Sequence, residues 1–321
     1  MERVFVTGGS GFIGTNLIEN LLQDGFEVAN FDWHPPKNPQ HALLLREGDI
    51  RNREFLIKSL VDFRPDWVVH LAAKTGLGGA SLAAYNANTV GVQNVLDATR
   101  AAGSVSRIVV ASSRYVHRTE VFPLRDDDYS PFTLYGESKV ETERIVRSSG
   151  LEIPWVLVRP TSIWGPWATN SYRMLFDAVR RGVYVHPRGR KISKSFGYVG
   201  NAVFQLRQFL SAEASKVDKR TFYVSDLENI EVLQFAQLIQ EAFGAPPIRQ
   251  VPMAVLKALA WSGDVLKRIG MKNPPLTTFR LDNLVTPMNY DLSATREVCG
   301  SSPYTLREGI RATADWIQHH G

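Results

Sequence analysis

The sequence predicts an α/β protein, built as a Rossmann-type doubly wound parallel sheet with a smaller mixed α/β lobe toward the C-terminus. Short β-rich apolar runs alternate with helical patterns through the first half of the chain, and a glycine-rich turn follows the first run. A length of 321 residues also suits one large α/β unit plus a smaller lobe. The predicted strands are Arg3–Thr7, Glu27–Phe31, Asp66–Leu71, Arg107–Ala111 and Trp155–Val158.

The spacing of apolar residues predicts the helical crossovers, and loops that contain proline indicate the second lobe. Ala80–Ala102 carries apolar residues at helical spacing and is predicted to bury one face. After about Trp167, loops that contain proline separate helical segments such as Ser171–Arg181 and Glu231–Phe243. We therefore divide the chain into a sheet domain, 1–166, and a mainly substrate-binding lobe, 167–321, with some later segments rejoining the first domain.

Composition excludes several classes of protein. Hydrophobic residues make up 44% and charged residues 21% of the chain, as in ordinary globular proteins. The lone Cys299 allows no internal disulfide and no cysteine-based zinc site, so we expect a cytoplasmic protein without a structural metal. The strand-like run from Arg3 leaves no room for an export signal. The net charge of +5 is dispersed, which argues against nucleic-acid binding.

No run approaches the roughly 20 apolar residues of a membrane-spanning helix. The nearest is Val251–Trp261, which Lys257 interrupts and which Lys267 and Arg268 follow. A helix that packs within the lobe and a basic amphipathic helix that lies on a membrane both fit this pattern.

The glycine-rich turn Thr7–Gly14 lies between the first predicted strand and a helix that begins near Phe12 and Ile13. Gly8 permits a tight turn, Gly11 lets the backbone approach a pyrophosphate, and Gly14 lets the helix and strand pack closely. The free N–H groups at the helix start then face the phosphates. We predict a dinucleotide site in 1–166, with a plain tight turn as the alternative.

Asp32 ends the second strand, where an acidic residue accepts hydrogen bonds from the adenosine ribose. A carboxylate at this position repels a 2′-phosphate, so NAD is favoured over NADP. A solvated residue at the strand end is the alternative.

Tyr135 and Lys139 stand four residues apart on a predicted helix and hence on one face. A nearby cation lowers the pKa of a phenol, so Lys139 can activate Tyr135 as an acid or base. Ser113, at the carboxyl end of a predicted strand, can hydrogen-bond the same substrate oxygen. An ordinary surface helix and a strand-end turn are the corresponding alternatives. His70 is interpreted as a buried strand-end histidine rather than a base.

Together these residues make the sequence closely resemble the extended short-chain dehydrogenase/reductases, the NAD-dependent epimerase/dehydratase family. The resemblance also rests on segments Asp49–Ile50, His70–Ala73, Arg159–Pro166, Phe196–Asn201 and Tyr290–Ser293. It implies that Ser113, Tyr135 and Lys139 are catalytic and that Lys139 also binds the nicotinamide ribose. It further implies cofactor contacts at Asp49 and Ile50 (adenine), Leu71, Ala72 and Ala73 (pyrophosphate and ribose), and Pro160 and Thr161 (nicotinamide).

The resemblance implies hydride transfer between NAD and a secondary alcohol or ketone, with Tyr135 moving the alcohol proton. Family dehydratases carry an Asp-Glu pair where this chain has Arg114 and Tyr115, so dehydration is rejected. Ser162 replaces an asparagine that touches the sugar diphosphate, and Lys194 replaces an arginine that grips the phosphates. Three further cations precede Lys194 in the same short stretch, Arg188, Arg190 and Lys191. This cluster fits either a diphosphate site or a solvated basic loop.

The leading interpretation is an epimerase or reductase of a nucleotide-linked sugar, with Ser113, Ser162 and Lys194 binding substrate. A hydroxyl dehydrogenase of an apolar alcohol, of the 3-beta-hydroxysteroid dehydrogenase type, is the alternative, for which Pro252–Ile269, Trp164 and Trp167 would suit the ligand. A non-catalytic NAD-sensing protein is a third interpretation, although the tyrosine and lysine are both retained. The resemblance also implies a homodimer, paired through Ala80–Ala102 and Thr133–Gly150.

Overall fold

A computed structural model describes residues 2–118, 123, 125–169, 171–271, 274 and 276–320. Within these residues the chain forms strands and α-helices in the order that follows. The strands are β1 (Arg3–Thr7), β2 (Glu27–Asp32), β3 (Leu45–Glu47), β4 (Trp67–His70), β5 (Arg107–Ala111), β6 (Trp155–Pro160), β7 (Ser162–Trp164), β8 (Val185–Pro187), β9 (Ser193–Lys194), β10 (Phe196–Tyr198), β11 (Arg220–Val224), β12 (Ile230–Glu231) and β13 (Arg249–Val251).

The α-helices flank these strands, and three short 3₁₀ helices connect them. The α-helices are α1 (Phe12–Gln23), α2 (Arg53–Phe63), α3 (Val90–Ala102), α4 (Leu134–Arg147), α5 (Ser171–Arg180), α6 (Val199–Ser211), α7 (Ala214–Val217), α8 (Val232–Phe243), α9 (Met253–Arg268), α10 (Thr278–Val285), α11 (Ser293–Cys299) and α12 (Leu306–His320). The 3₁₀ helices are Pro39–Leu44, Leu82–Asn88 and Arg114–Val116.

The central sheet of the described chain has seven parallel strands in the order β11-β6-β5-β4-β1-β2-β3. This order confirms the predicted doubly wound fold, and the reversal between β1 and β4 opens a crevice at the carboxyl ends of the strands. Buried apolar side chains cover both faces of the sheet, Leu17 and Leu206 on one and Leu60 and Val95 on the other. The near-continuous apolar character of the strands follows from this burial.

Two strands of the sheet were not among the predicted ones. Strand β3 has three residues without an apolar run, so no periodicity marks it. Strand β11 lies in the second half of the chain and pairs with β6.

The crossover Ala80–Ala102, predicted from its helical spacing to bury one face, is divided between the 3₁₀ helix Leu82–Asn88 and α3. The backbone turns at Thr89, at φ −123° and ψ −75°, between the 3₁₀ helix and α3. Asn88 explains the break, because its side chain accepts from the Lys74 N–H at 2.8 Å and donates to the Lys74 carbonyl at 3.0 Å. The Tyr85 side chain before the break and the Val92 side chain after it are nevertheless both fully buried.

The two tryptophans that would suit an apolar ligand pack against other aromatic rings. Trp164 is fully buried, with its ring 5.0 Å from that of Phe235 and 5.8 Å from that of Phe176. The Trp167 ring packs 5.2 Å from that of Trp316 on α12. Trp164 therefore belongs to the core, whereas Trp167 is half-buried beside α12.

Candidate active site

The glycine turn connects β1 to α1 with little space for side chains. Gly8 adopts φ 78°, and a Cβ there would lie 2.5 Å from the Ala72 nitrogen. A Cβ on Gly14 would collide with the Gly8 carbonyl oxygen. Helix α1 starts at Phe12 with no side-chain cap, so its first N–H groups point out of the turn and can bind phosphate.

Asp32 lies at the end of β2 beside this turn. Its carboxylate accepts hydrogen bonds from the backbone N–H groups of Ser10, at 3.1 Å, and His34, at 3.0 Å. These bonds fix the carboxylate at the strand end while leaving lone pairs for a ribose hydroxyl.

Asp49 and Ile50 follow β3 along the same edge. The Asp49 carboxylate pairs with Arg51 at 2.5 Å, which lowers the pKa of Asp49. Ile50 is buried, and its carbonyl accepts a hydrogen bond from Asn94 at 2.9 Å. The Arg51 guanidinium lies 5.6 Å from the Trp33 ring, which is 59% exposed. Trp33 was not singled out from the sequence, although it follows Asp32 directly.

Leu71, Ala72 and Ala73 leave the end of β4 next to the glycine turn. The Leu71 N–H donates to the Thr7 carbonyl at 2.9 Å, which fixes this loop against β1. His70 is buried, and its Nδ1 lies 2.7 Å from the Thr7 hydroxyl. Burial and the Lys139 charge lower the pKa of His70 to about 3. The imidazole is therefore neutral at physiological pH, as expected of a structural histidine.

Tyr135, Ser113 and Lys139 come together at the carboxyl end of β5. Tyr135 is 8% exposed, and this burial raises the pKa of its phenol to about 12. Interaction with the Ser113 hydroxyl lowers that pKa, and so does the charge of Arg114. Helix α4 begins at Leu134 because the Thr133 side chain accepts a hydrogen bond from the Gly136 N–H at 3.0 Å.

Lys139 points toward the end of β5. Its ammonium donates to the Ala111 carbonyl at 2.8 Å, and the side chain is buried. Burial lowers the pKa of Lys139 to about 8, while the Glu143 charge raises it. The Lys139 ammonium, which was predicted to activate Tyr135, is thus held by a carbonyl of β5. The Arg114 charge also lowers the pKa of Tyr135.

A buried network beneath this site escaped the sequence analysis. The Glu143 carboxylate accepts from Arg159 Nε and Nη2, both at 2.8 Å, and from the Ser112 hydroxyl at 2.6 Å. It therefore ties α4 to β6 and to the residue before Ser113. Spacing could have suggested Glu143, because it lies one helical turn after Lys139.

Arg114, just after β5, acts on Tyr135, and Lys194 of β9 in the second lobe lies near Arg114. They are 5% and 4% exposed, respectively. Among the described residues neither cation forms an ion pair with Asp or Glu, and Arg114 Nη1 has no hydrogen-bond partner. Burial and the Arg114 charge lower the pKa of Lys194 to about 7. The Lys194 ammonium donates to the Asn283 carbonyl on α10.

Tyrosine side chains lie near Arg114, whose guanidinium is 4.2 Å from the centre of the Tyr115 ring. Tyr172 and Tyr290 also interact with the Arg114 side chain. Ser162 is buried on β7 and interacts with Tyr172. Ser162 is therefore near the tyrosine that flanks Arg114.

The remaining predicted residues are two at the end of β6 and three basic residues near Lys194. Pro160 ends β6, and the Thr161 hydroxyl lies 3.1 Å from the Ser195 carbonyl and 3.0 Å from the Ser225 hydroxyl, so Thr161 joins the sheet to the second lobe. Arg188, Arg190 and Lys191 are exposed, unlike Lys194. The predicted basic cluster is thus one buried lysine and three solvated cations.

The described ranges contain no group of three or more His, Cys, Asp or Glu side chains that could hold a metal ion.

A family model described as the NAD dependent epimerase/dehydratase family matches residues 4–224. The chain belongs to this family. Its central sheet and glycine turn are those of an NAD-dependent enzyme of the extended short-chain dehydrogenase type, and NAD is its cofactor.

Among family relatives, the chain is similar to a 3 beta-hydroxysteroid dehydrogenase/Delta 5-->4-isomerase of Mycobacterium tuberculosis. The two are 31% identical over 97% of this chain and 89% of that protein. An N-acetyl-alpha-D-glucosaminyl-diphospho-ditrans,octacis-undecaprenol 4-epimerase of Escherichia coli O157:H7 is 26% identical over 98% of this chain and 95% of that protein.

Solved structures of the family share the fold. UDP-glucose 4-epimerase of Thermotoga maritima with UDP-glucose gives a TM-score of 0.75 at 20% identity, covering 99% of both chains. UDP-glucuronic acid 4-epimerase of Bacillus cereus, in complex with UDP-glucuronic acid and NAD, gives 0.73 at 21% identity, also over 99% of both chains.

Proposed function

We propose that this protein is an NAD-dependent epimerase or reductase of a sugar that carries a diphosphate, with nucleotide-linked sugars as the first class to test. The proposal depends chiefly on Arg114, which acts on Tyr135, and on Lys194 near it, two buried basic side chains that have no acidic partner among the described residues. Burying an unpaired charge is costly, and a bound anion removes that cost. A diphosphate next to the reacting sugar would pair with both.

The cofactor residues proposed for this site lie along the carboxyl ends of the sheet strands and on α1 and α4. The uncapped start of α1 at Phe12, Ile13 and Gly14 suits a pyrophosphate, and the anchored Asp32 carboxylate suits a ribose without a 2′-phosphate. NAD, when bound, supplies the acceptor and donor of the hydride. The complete proposed set is Gly8, Gly11, Phe12, Ile13, Gly14, Asp32, Asp49, Ile50, Leu71, Ala72, Ala73, Tyr135, Lys139, Pro160 and Thr161.

The catalytic residues proposed are Ser113, Tyr135 and Lys139. Tyr135 takes the proton of the substrate alcohol at its phenolic oxygen, and Ser113 donates a hydrogen bond to the same substrate oxygen. The Ala111 carbonyl holds the Lys139 ammonium at the strand end, where it can bind the ribose and favour the phenolate. In an epimerase, Tyr135 would return its proton after the ketone has presented its other face.

The test compares turnover and binding across a panel of nucleotide-linked and lipid-linked sugar diphosphates, with NADH absorbance followed in parallel. Formation of an epimer without net NADH supports an epimerase, and consumption of NADH with a keto sugar supports a reductase. Lys194→Met should raise KM at least tenfold with a smaller effect on kcat. Lys191→Met is the matched control, because Lys191 is exposed three residues away. Failure of every diphosphate to bind would overturn the proposal.

A hydroxyl dehydrogenase of an apolar alcohol is the second candidate. The steroid dehydrogenase relative is 31% identical, and aromatic rings flank Tyr135, with Tyr115 at 5.6 Å and Tyr85 at 6.2 Å between ring centroids. Stoichiometric NADH formation from a sterol-like alcohol, insensitive to Lys194→Met, would favour this candidate.

We also propose a homodimer paired through α3 and α4, which follows the family resemblance. Val90 at the start of α3 and Phe132 before α4 expose 51% and 41% of their surface, as a paired interface requires. Light scattering should give twice the mass of the 36.0 kDa chain. A monomer would contradict this proposal.

A further inference from the structure

Helix α9 packs on the second lobe through a narrow face. Leu256 and Ala260 are buried against Leu281 of α10. Gly263 completes this face, because a Cβ there would collide with the Leu276 carbonyl oxygen. The lobe therefore holds α9 closely along one side only.

The opposite side of α9 is apolar and faces solvent. Val255, Leu259, Trp261 and Val265 expose 44%, 47%, 69% and 36% of their surface, and Ile269 after the helix exposes 75%. At 100° per residue Trp261, Val265 and Ile269, with the exposed Ala254 and Ala258, lie within about 40° of the line opposite Leu256, and Val255 and Leu259 lie on the flank between that line and the packed face. A surface helix normally places polar residues there, so this apolar face (the α9 face) lacks a partner within the described chain.

Positive charge is concentrated in the sequence segment that contains α9. Residues 249–280 contain six Lys and Arg and one acidic residue, Asp264. The net charge of this segment is therefore +5, the same as that of the entire chain. Lys257, Lys267 and Arg268 are exposed, and none forms an ion pair among the described residues. The Asp264 carboxylate accepts hydrogen bonds from the Thr278 N–H and hydroxyl, so it is directed toward α10.

We propose that the α9 face docks this protein on the surface of a membrane that contains anionic phospholipids. A tryptophan on an apolar helix face beside lysine and arginine fits the boundary between headgroups and acyl chains. The cations add attraction to the negative lipid surface. Among the described residues no helix is long and apolar enough to cross a membrane, so contact through this face is peripheral.

The charge distribution favours a lipid surface over a second copy of the chain. A two-fold contact through the α9 face would bring Lys257, Lys267 and Arg268 close to the same cations of the partner, which costs free energy. An anionic membrane instead compensates all of them. The docking proposal is independent of the proposed substrate.

The experiment is sedimentation of the full chain with vesicles of phosphatidylcholine, alone or mixed with phosphatidylglycerol. We expect binding to the mixed vesicles only, weakened as ionic strength rises. Trp261→Ser combined with Ile269→Ser should weaken binding by about tenfold or more. Lys257→Glu combined with Arg268→Glu should weaken it by about fivefold for each cation lost.

Matched controls change equally exposed residues elsewhere. Leu43→Ser removes a side chain that is 100% exposed, and Lys58→Glu reverses an exposed charge on α2. Both should bind vesicles like the wild type. All variants should keep the wild-type melting temperature and the wild-type turnover of a water-soluble substrate, so docking is assessed separately from catalysis. Equal binding by wild type and the Trp261 variant would overturn the proposal, as would a dimer that this variant dissociates without any lipid binding.

Discussion

The Glu143 carboxylate and the Arg159 guanidinium form two hydrogen bonds of 2.8 Å, with side chains that are 0% and 1% exposed. Glu143 also accepts from Ser112, so this ion pair joins α4, β6 and the end of β5 at one point. These are the elements that carry Lys139 and Ser113. We therefore propose that the pair positions the catalytic residues proposed above, although it is not itself one of them.

Glu143→Gln should strongly destabilise the protein, because it leaves the Arg159 charge buried and unpaired. We expect the free energy of unfolding to fall by about 3–5 kcal/mol, measured by urea denaturation. Glu141→Gln is the control, since Glu141 pairs with Arg144 on the exposed side of the same helix, and should cost less than about 1 kcal/mol. Equal losses in the two variants would contradict this account.

The same pair predicts a pH dependence. Arg159 holds the pKa of Glu143 below its ordinary value despite burial. A carboxyl whose folded pKa is depressed contributes stability above its unfolded pKa, and this contribution is lost as pH falls through the folded pKa. Wild type should therefore lose stability below about pH 4.5 more steeply than Glu143→Gln. Parallel acid unfolding curves would be inconsistent with this assignment.

Arg114 should set the pH at which Tyr135 reacts. Burial raises the pKa of Tyr135 to about 12, and the Arg114 charge lowers it. Alcohol oxidation needs the phenolate, so kcat should rise with pH, and Arg114→Met should move the rise to higher pH. At a fixed pH below the pKa, the phenolate fraction and hence kcat fall about tenfold when the pKa of Tyr135 rises by about one. The profile is measured at saturating substrate, where weaker binding has no effect.

Arg118→Met is the control for this prediction, because Arg118 is exposed four residues further along. Its pH profile should match that of the wild type. A change confined to KM in Arg114→Met would mean that Arg114 binds substrate without acting on Tyr135.

Sequence reasoning predicted those parts of the fold and of the proposed site that depend on local pattern. A few adjacent residues are enough to identify each of these features, namely the glycine turn, Asp32 and the helical spacing of Tyr135 and Lys139. The Glu143–Arg159 pair and the convergence of Arg114 with Lys194 depend on contacts between distant segments, which no periodicity encodes. Lys194 illustrates the difference, since only tertiary packing separates it from the solvated Arg190 and Lys191.

Asp32 should determine the choice between NAD and NADP. Its carboxylate stays at the end of β2 because it accepts from the Ser10 and His34 N–H groups. Asp32→Asn keeps one acceptor oxygen but removes the charge that repels a 2′-phosphate, so NADP affinity should rise by about tenfold while NAD affinity falls. Calorimetry with both cofactors checks this. Asp62→Asn, an exposed change on α2, should alter neither affinity, and an unchanged ratio in Asp32→Asn would remove Asp32 from the ribose site.

Alanine substitutions at Gly11 and Gly14, at the start of α1, should have different effects. A Cβ on Gly11 would meet only the Gly8 carbonyl oxygen, at 3.1 Å, and the backbone of Gly11 is extended, at φ −75°. Gly11→Ala should therefore fold with a melting temperature near that of the wild type, while the added methyl obstructs the pyrophosphate and weakens NAD binding by at least about tenfold. A Cβ on Gly14 would instead collide with the Gly8 carbonyl oxygen and would lie 2.6 Å from the Gly9 Cα. Gly14→Ala should consequently lower the melting temperature as well as NAD affinity, because α1 must move away from β1. Thermal unfolding and NAD titration of both variants separate the two effects, and wild-type NAD affinity in Gly11→Ala would show that the pyrophosphate does not approach this turn.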